Sequence, residues 1–137
     1  MVFFLNFACV MKHQDYVTDA IDLLCALINT PSVSREEKDA ADLMEQRMKS
    51  YGLAPHREAN NLWLMADGYD EQKPTLLLNA HIDTVKPAIS WTRDPFRASV
   101  EDDRIYGLGS NDCGGGLTTL LQVFRFLSLR PQPYNLI

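Results

Sequence analysis

The stretch TLLLNAHIDTV, from Thr75 to Val85, decides the fold. Its unbroken apolar start predicts a strand in a central position, covered on both faces. Two titratable residues, His81 and Asp83, follow where the apolar run ends. Because residues i and i+2 of a strand point to the same side, we predict that both side chains face one cavity. That cavity would lie beyond the carboxyl end of the strand, where open α/β sheets bind ligands.

The segments on either side alternate between helical and strand patterns. Apolar spacing predicts a helix from Tyr16 to Ile28, and the capping box SREE, Ser34 to Glu37, predicts the start of a second helix that Gly52 ends. The remaining elements are a strand at 62–65 joined to the next by a hairpin-like turn, a hairpin with arms at 98–100 and 104–106, a helix at 117–129 and a strand opening at 134–137. This order predicts an α/β fold, a three-layer sandwich around a mixed sheet.

Composition narrows the class of partner. A chain of 137 residues can form one domain with a real core, and its formal charge of -5 disfavours a nucleic-acid partner. No apolar run reaches the roughly 20 residues of a membrane helix, so we expect no membrane partner. The three cysteines, Cys9, Cys25 and Cys113, are odd in number and widely spaced. They form no disulfide framework, which favours a reducing compartment, the cytoplasm.

The first residues, MVFFLNFACV, are apolar and resemble the middle of a signal peptide. They lack a preceding basic residue and a clear cleavage site, and Met11 opens a segment that reads as a natural amphipathic start. Residues 1–12 are therefore predicted to be an apolar leader of uncertain origin. An extra apolar strand or arm is the alternative.

A second motif, GLGSNDCGGG from Gly107 to Gly116, precedes the third predicted helix. Asp112 in this turn also follows a strand, so it can converge with His81 and Asp83. Imidazole and carboxylate groups suit a zinc-type metal, and a carboxylate can also bridge two metals or orient a ligand histidine. The alternatives are that His81 caps a strand and that Asp112 is the N-cap of the following helix. Cys113 is expected to point away from whatever Asp112 faces.

The segments KPTLLLNAHIDTVKP, WTRDPF and DDRIYGLGSNDCGGGL carry a family resemblance. The chain, from about residue 15 onward, resembles the metal-dependent amidohydrolase and exopeptidase family that includes acetylornithine deacetylase, succinyl-diaminopimelate desuccinylase and carboxypeptidase G. Its nearest resemblance is to acetylornithine deacetylase. This implies that His81 binds one metal, that Asp83 orients His81 and is a catalytic residue, and that Asp112 bridges two metals. The implied cofactor is zinc, as two divalent ions, with cobalt as an alternative. The resemblance also implies a non-proline cis peptide between Asp112 and Cys113.

The implied activity is hydrolysis of the amide bond of an N-acylated amino acid by a metallo-amidohydrolase. The expected reaction is N-acetylornithine deacetylation in arginine biosynthesis, with desuccinylase or dipeptidase activity as alternatives, in a protein that is a homodimer at full length. In that family a Glu-Glu pair, a further acidic ligand and a final histidine follow, and the 137 residues have no counterpart for them. Residues 13–137 are thus expected to be the truncated amino-terminal part of a zinc-exopeptidase-like catalytic domain, inactive alone, without the dimerisation or lid domain.

Two other functional classes remain as alternatives. The turn GLGSND could belong to a nucleotide-binding module, since helix N-termini bind phosphate. However, Asp112 stands where a dinucleotide fingerprint needs its third glycine, and the lysine of a P-loop is missing. A non-catalytic interaction protein is the second alternative, because an open sheet edge seeks partners.

Overall fold

The computed structural model describes residues 12–137, and all but the last residue of the predicted leader lies outside this range. The described part contains three helices, six short strands and one irregular turn. In chain order they are α1 His13–Ile28, α2 Lys38–Ser50, β1 His56–Glu58, β2 Asn61–Trp63, β3 Thr75–Leu76, β4 Ser99–Glu101, β5 Arg104–Tyr106, the irregular turn Ser110–Gly114, α3 Gly115–Leu127 and β6 Asn135–Leu136.

Helices α1 and α3 confirm the helices that apolar spacing predicted, with α1 starting three residues before Tyr16. The two helices pack together and bury Leu23 and Leu121 in the main core. Helix α2 and the strands close this core from other sides. Its buried members are Leu23, Met44, Met48, Leu64, Leu121, Phe124 and Leu136.

Helix α2 starts later than the capping box predicted. It begins at Lys38 after Glu37, and no side chain caps its first turn. Arg35 has a φ of 79°, so the chain leaves helical geometry inside the predicted box, and Ser34 cannot reach the first turn. The end of the helix is as predicted: Gly52 has a φ of 77°, and its N–H donates to the carbonyl of Lys49 at 2.9 Å.

The single mixed sheet predicted from the sequence is not formed among the described residues. Three separate two-stranded sheets occur instead: β1 with β2 antiparallel, β3 with β6 parallel and β4 with β5 antiparallel. The β4–β5 hairpin confirms its prediction, but β2 pairs with β1, so the predicted turn between β2 and β3 joins strands that are not partners. The result is a small mixed α/β fold.

The central position predicted for the Thr75–Asp83 run is also wrong for the described chain. Only Thr75–Leu76 is strand, and it pairs with Asn135 and Leu136 of β6. No other described strand pairs with its second edge, and Leu77 is 63% exposed. The run is therefore an edge that continues as extended chain towards His81. None of the helices between residues 12 and 137 is long and apolar enough to cross a membrane.

Candidate metal centre

Backbone hydrogen bonds hold both ends of the segment that carries His81 and Asp83. At its start, the N–H of Leu78 donates to the carbonyl of Ile137 at 2.8 Å, which extends the β3–β6 ladder. At its end, Thr84 forms a parallel bridge with Val33. Contacts with Ile137 and with Val33 therefore fix the backbone on either side of His81 and Asp83.

The turn that carries Asp112 approaches the same segment closely. Gly109 has a φ of 78°, and a Cβ atom there would lie 2.7 Å from the Cγ2 of Thr84. Glycine is thus required at this position both by conformation and by the close approach. The Asp112–Cys113 peptide is cis, as the resemblance implied.

The structure brings the three predicted site residues together. His81 Nε2 lies 3.1 Å from Asp112 Oδ1, and His81 Nδ1 lies 3.3 Å from Asp83 Oδ1. His81 Nδ1 is also 3.0 Å from the backbone carbonyl oxygen of Asp83. The imidazole therefore stands between two carboxylates from distant segments. The alternative in which Asp112 is the N-cap of α3 is wrong, because Gly114 holds that position.

The carboxylates determine the electrostatics of the centre. The hydrogen bond with Asp112, supported by the carbonyl and the charge of Asp83, raises the pKa of His81 above its ordinary value. The pKa of Asp83 is lowered, chiefly because the hydroxyl of Ser34 donates a hydrogen bond to its carboxylate. The site therefore favours a positive group at the imidazole, which is either a proton or a metal ion.

Cys113 departs from the expectation that it points away. Its Sγ donates to the carbonyl of His81 at 3.1 Å, and ligand atoms of His81, Asp112 and Cys113 all lie within 4.8 Å of one another. The alternation rule fails at Cys113 because its ψ of 27° is not that of a strand. A nitrogen, a carboxylate oxygen and a sulfur form a donor set that fits a zinc-type divalent ion.

Sequence reasoning missed Ser34, which it assigned to the capping box. The Ser34 hydroxyl donates to Asp83 Oδ2 at 2.5 Å across 49 residues of chain. A capping-box serine carries no sign in the sequence of a long-range contact, because the motif SREE depends only on nearby residues. Nothing in the stretch SVS, residues 32–34, predicts a contact with Asp83.

Comparison with known proteins gives matches of sequence and of fold. Residues 77–136 match the sequence profile described as Peptidase family M20/M25/M40. Succinyl-diaminopimelate desuccinylase of Blochmanniella floridana is 33% identical over 129 residues, which cover 88% of this chain and 34% of the relative. The enzyme of the same name from Xylella fastidiosa (strain M23) is 28% identical over 123 residues, covering 85% of this chain and 32% of the relative. The chain thus spans about a third of the length of these curated relatives.

Two solved structures share the fold. A di-peptidase of Saccharomyces cerevisiae superposes with a TM-score of 0.61 at 20% identity, covering 90% of this chain and 31% of that one. Human carnosine dipeptidase 1 gives a TM-score of 0.53 at 16% identity, covering 90% of this chain and 32% of that one.

The described residues therefore have a fold that is also found in dipeptidases. The profile match and the desuccinylase relatives support Peptidase family M20/M25/M40 as the family of this chain. These matches support the expectation from the sequence at the level of the family. The nearer resemblance to acetylornithine deacetylase lacks such support, since the two relatives described above are named desuccinylases.

Proposed function

We propose that this chain supplies part of the metal centre of a hydrolase that cleaves the amide bond of an N-acylated amino acid or a dipeptide. In this proposal His81 and Asp112 are metal ligands, and Asp83 orients His81. The observation that carries it is the position of one imidazole between two carboxylates, 3.1 Å from Asp112 and 3.3 Å from Asp83. Zinc suits the donor set best, with cobalt as the alternative.

Each residue has a distinct task in this proposal. A divalent metal bound here would supply Lewis acidity to the substrate carbonyl. Nδ1 of His81 lies 3.0 Å from the backbone carbonyl oxygen of Asp83 and 3.3 Å from its Oδ1, so a proton held on Nδ1 leaves Nε2 to act as a ligand. The side chain of Asp112 is 88% exposed, which leaves its carboxylate accessible to a second ligand.

The substrate within this class is part of the proposal. The sequence suggested N-acetylornithine and arginine biosynthesis, whereas the relatives are named succinyl-diaminopimelate desuccinylase. A succinylated amino acid is therefore the first substrate to test, with N-acetylornithine and a dipeptide beside it. We further propose that residues 13–137 are the amino-terminal part of the catalytic domain and that the full-length protein is a cytoplasmic homodimer, as the resemblance implies.

Zinc titration of the 137-residue chain by calorimetry tests the centre. We expect weak binding of zinc, because the described cluster offers few protein ligands, and loss of binding in His81→Ala and Asp112→Ala. ATP and NAD, titrated in parallel, test the nucleotide-binding alternative, which an exposed Asp112 carboxylate disfavours by repelling phosphate. Nucleotide binding without zinc binding would contradict the proposal.

An activity assay tests the reaction. We expect no hydrolysis of the three substrates by the chain alone, since Asp83 is engaged by Ser34 and His81 and Asp112 is proposed as a metal ligand, which leaves neither carboxylate as a general base. Activity should appear when the chain is combined with the remaining two thirds of a desuccinylase relative in the presence of zinc. Turnover by the isolated chain would refute its expected inactivity.

A further inference from the structure

We infer that Ser34 is a positioning residue of the metal centre, an inference that rests on the proposed function. The Ser34 hydroxyl donates to Asp83 Oδ2 at 2.5 Å, while Asp83 Oδ1 lies 3.3 Å from His81 Nδ1. The two oxygens of one carboxylate thus connect Ser34 to the imidazole. Ser34 holds the carboxylate in the orientation in which it can align the histidine.

The backbone places the Ser34 hydroxyl at this point. The N–H of Ser34 donates to the carbonyl of Thr84 at 3.0 Å, and the N–H of Thr84 donates to the carbonyl of Ser32 at 2.8 Å. These bonds flank Asp83 directly, because Thr84 is the next residue along the chain. The contact between Ser34 and Asp83 is therefore built on a fixed backbone register rather than on a chance meeting of two flexible side chains.

A purely structural role does not explain this contact. Ser34 is exposed, so loss of its hydroxyl leaves no buried unpaired group, the usual source of a large stability cost. The hydroxyl also does not cap α2, whose N-cap is Glu37. What the hydroxyl does restrain is Asp83 Oδ2, the carboxylate oxygen other than the one that lies 3.3 Å from His81 Nδ1.

Zinc affinity measures this restraint. Loss of a residue that orients a ligand histidine typically costs 10–100-fold in metal affinity. Ser34 acts one hydrogen bond further out, so we expect Ser34→Ala to raise the zinc Kd of the 137-residue chain by about threefold to tenfold. Ser34→Thr keeps the hydroxyl and should restore the affinity.

A double-mutant cycle separates action through Asp83 from an independent effect. If Ser34 works by holding Asp83, the double variant Ser34→Ala/Asp83→Ala should bind zinc no more weakly than Asp83→Ala. Ser50→Ala is the matched control, because Ser50 is exposed like Ser34 and its hydroxyl donates to the carbonyl of Arg47 at 2.8 Å. That hydrogen bond lies within α2, so this control should leave the zinc Kd unchanged.

The outcomes distinguish the inference from the proposed function. If the wild-type chain binds zinc and Ser34→Ala binds it equally well, or if the effects of the two substitutions add fully, the inference is overturned and the proposed function stands. If the wild-type chain binds no zinc, the proposed function fails and the inference fails with it. A weakened Ser34→Ala, a restored Ser34→Thr and a non-additive cycle support the inference.

Discussion

Gly114 is the position where one added methyl group should disturb the metal centre most directly. A Cβ atom at Gly114 would lie 2.7 Å from the carbonyl oxygen of Gly109 and 2.8 Å from Cδ1 of Leu24. The leucine methyl can swing away, but the Gly109 oxygen belongs to the backbone and also accepts the N–H of Gly114 at 2.8 Å. The turn between the two glycines must therefore shift, and Asp112 lies in that turn.

The magnitude follows from two opposing effects. Overpacking of this kind costs about 1–3 kcal/mol. Replacing glycine by alanine where the backbone is already helical gains about 0.4–1 kcal/mol through the unfolded chain, and Gly114 has a helical φ of -54°. We therefore expect Gly114→Ala to lower the free energy of unfolding by about 1–2 kcal/mol.

Gly116 provides the matched control two residues later. It lies in α3, is exposed, and a Cβ atom there would meet nothing within 4 Å. Gly116→Ala should therefore raise the free energy of unfolding by up to about 1 kcal/mol. Urea unfolding measures both variants, and zinc titration should show weaker binding only in Gly114→Ala. A Gly114→Ala variant as stable as the wild type, with unchanged zinc affinity, would refute the steric argument.

Three further predictions concern the centre and the core. His81→Ala and Asp112→Ala should remove measurable zinc binding with little change in the urea midpoint, since the two side chains are 50% and 88% exposed; retained binding would exclude them as ligands. Zinc affinity should fall as the pH is lowered through the raised pKa of His81, because protons then compete for the imidazole that Asp112 and Asp83 favour in its charged form, and a pH-independent Kd from calorimetry would contradict this. Leu23→Ala, at a fully buried position, should cost about 2–5 kcal/mol in urea unfolding. Val17→Ala on the same helix, 39% exposed, should cost much less.

The sequence predicted helices and hairpins better than it predicted which strands pair with one another. Helix α1, helix α3 and the β4–β5 hairpin follow from apolar spacing and turn residues that lie close together in the chain. The partners of the strands do not follow from such local patterns, because β3 pairs with β6 from the far end of the chain and β2 pairs with β1 rather than with β3. An apolar run such as Thr75–Leu78 predicts burial, but Leu76 and Leu77 are 37% and 63% exposed because no second described strand lies beside them.

Only part of the predicted site follows from local sequence, because His81 and Asp112 meet across 31 residues of chain. His81 and Asp83 share a segment, and Asp112 sits in a glycine-rich turn whose close approach to Thr84 the sequence could suggest only as a turn. The orientation of Cys113 was predicted wrongly, because its ψ of 27° departs from strand geometry and side-chain alternation does not apply there. Ser34 was missed because its contact with Asp83 depends on the backbone register between two distant segments.

The arrangement around His81 also argues against the plain reading in which this histidine only caps a strand. A neutral imidazole has one N–H, so it can donate from only one of its two ring nitrogens. Here both nitrogens face acceptors, since Nδ1 lies 3.0 Å from the carbonyl of Asp83 and Nε2 lies 3.1 Å from the Asp112 carboxylate. One nitrogen of the neutral ring would therefore place a lone pair against an oxygen. A second proton relieves that repulsion, which is why the pKa of His81 is raised, and a metal ion held by His81 and Asp112 would supply positive charge there instead. A histidine that merely ended a strand would need no such cation.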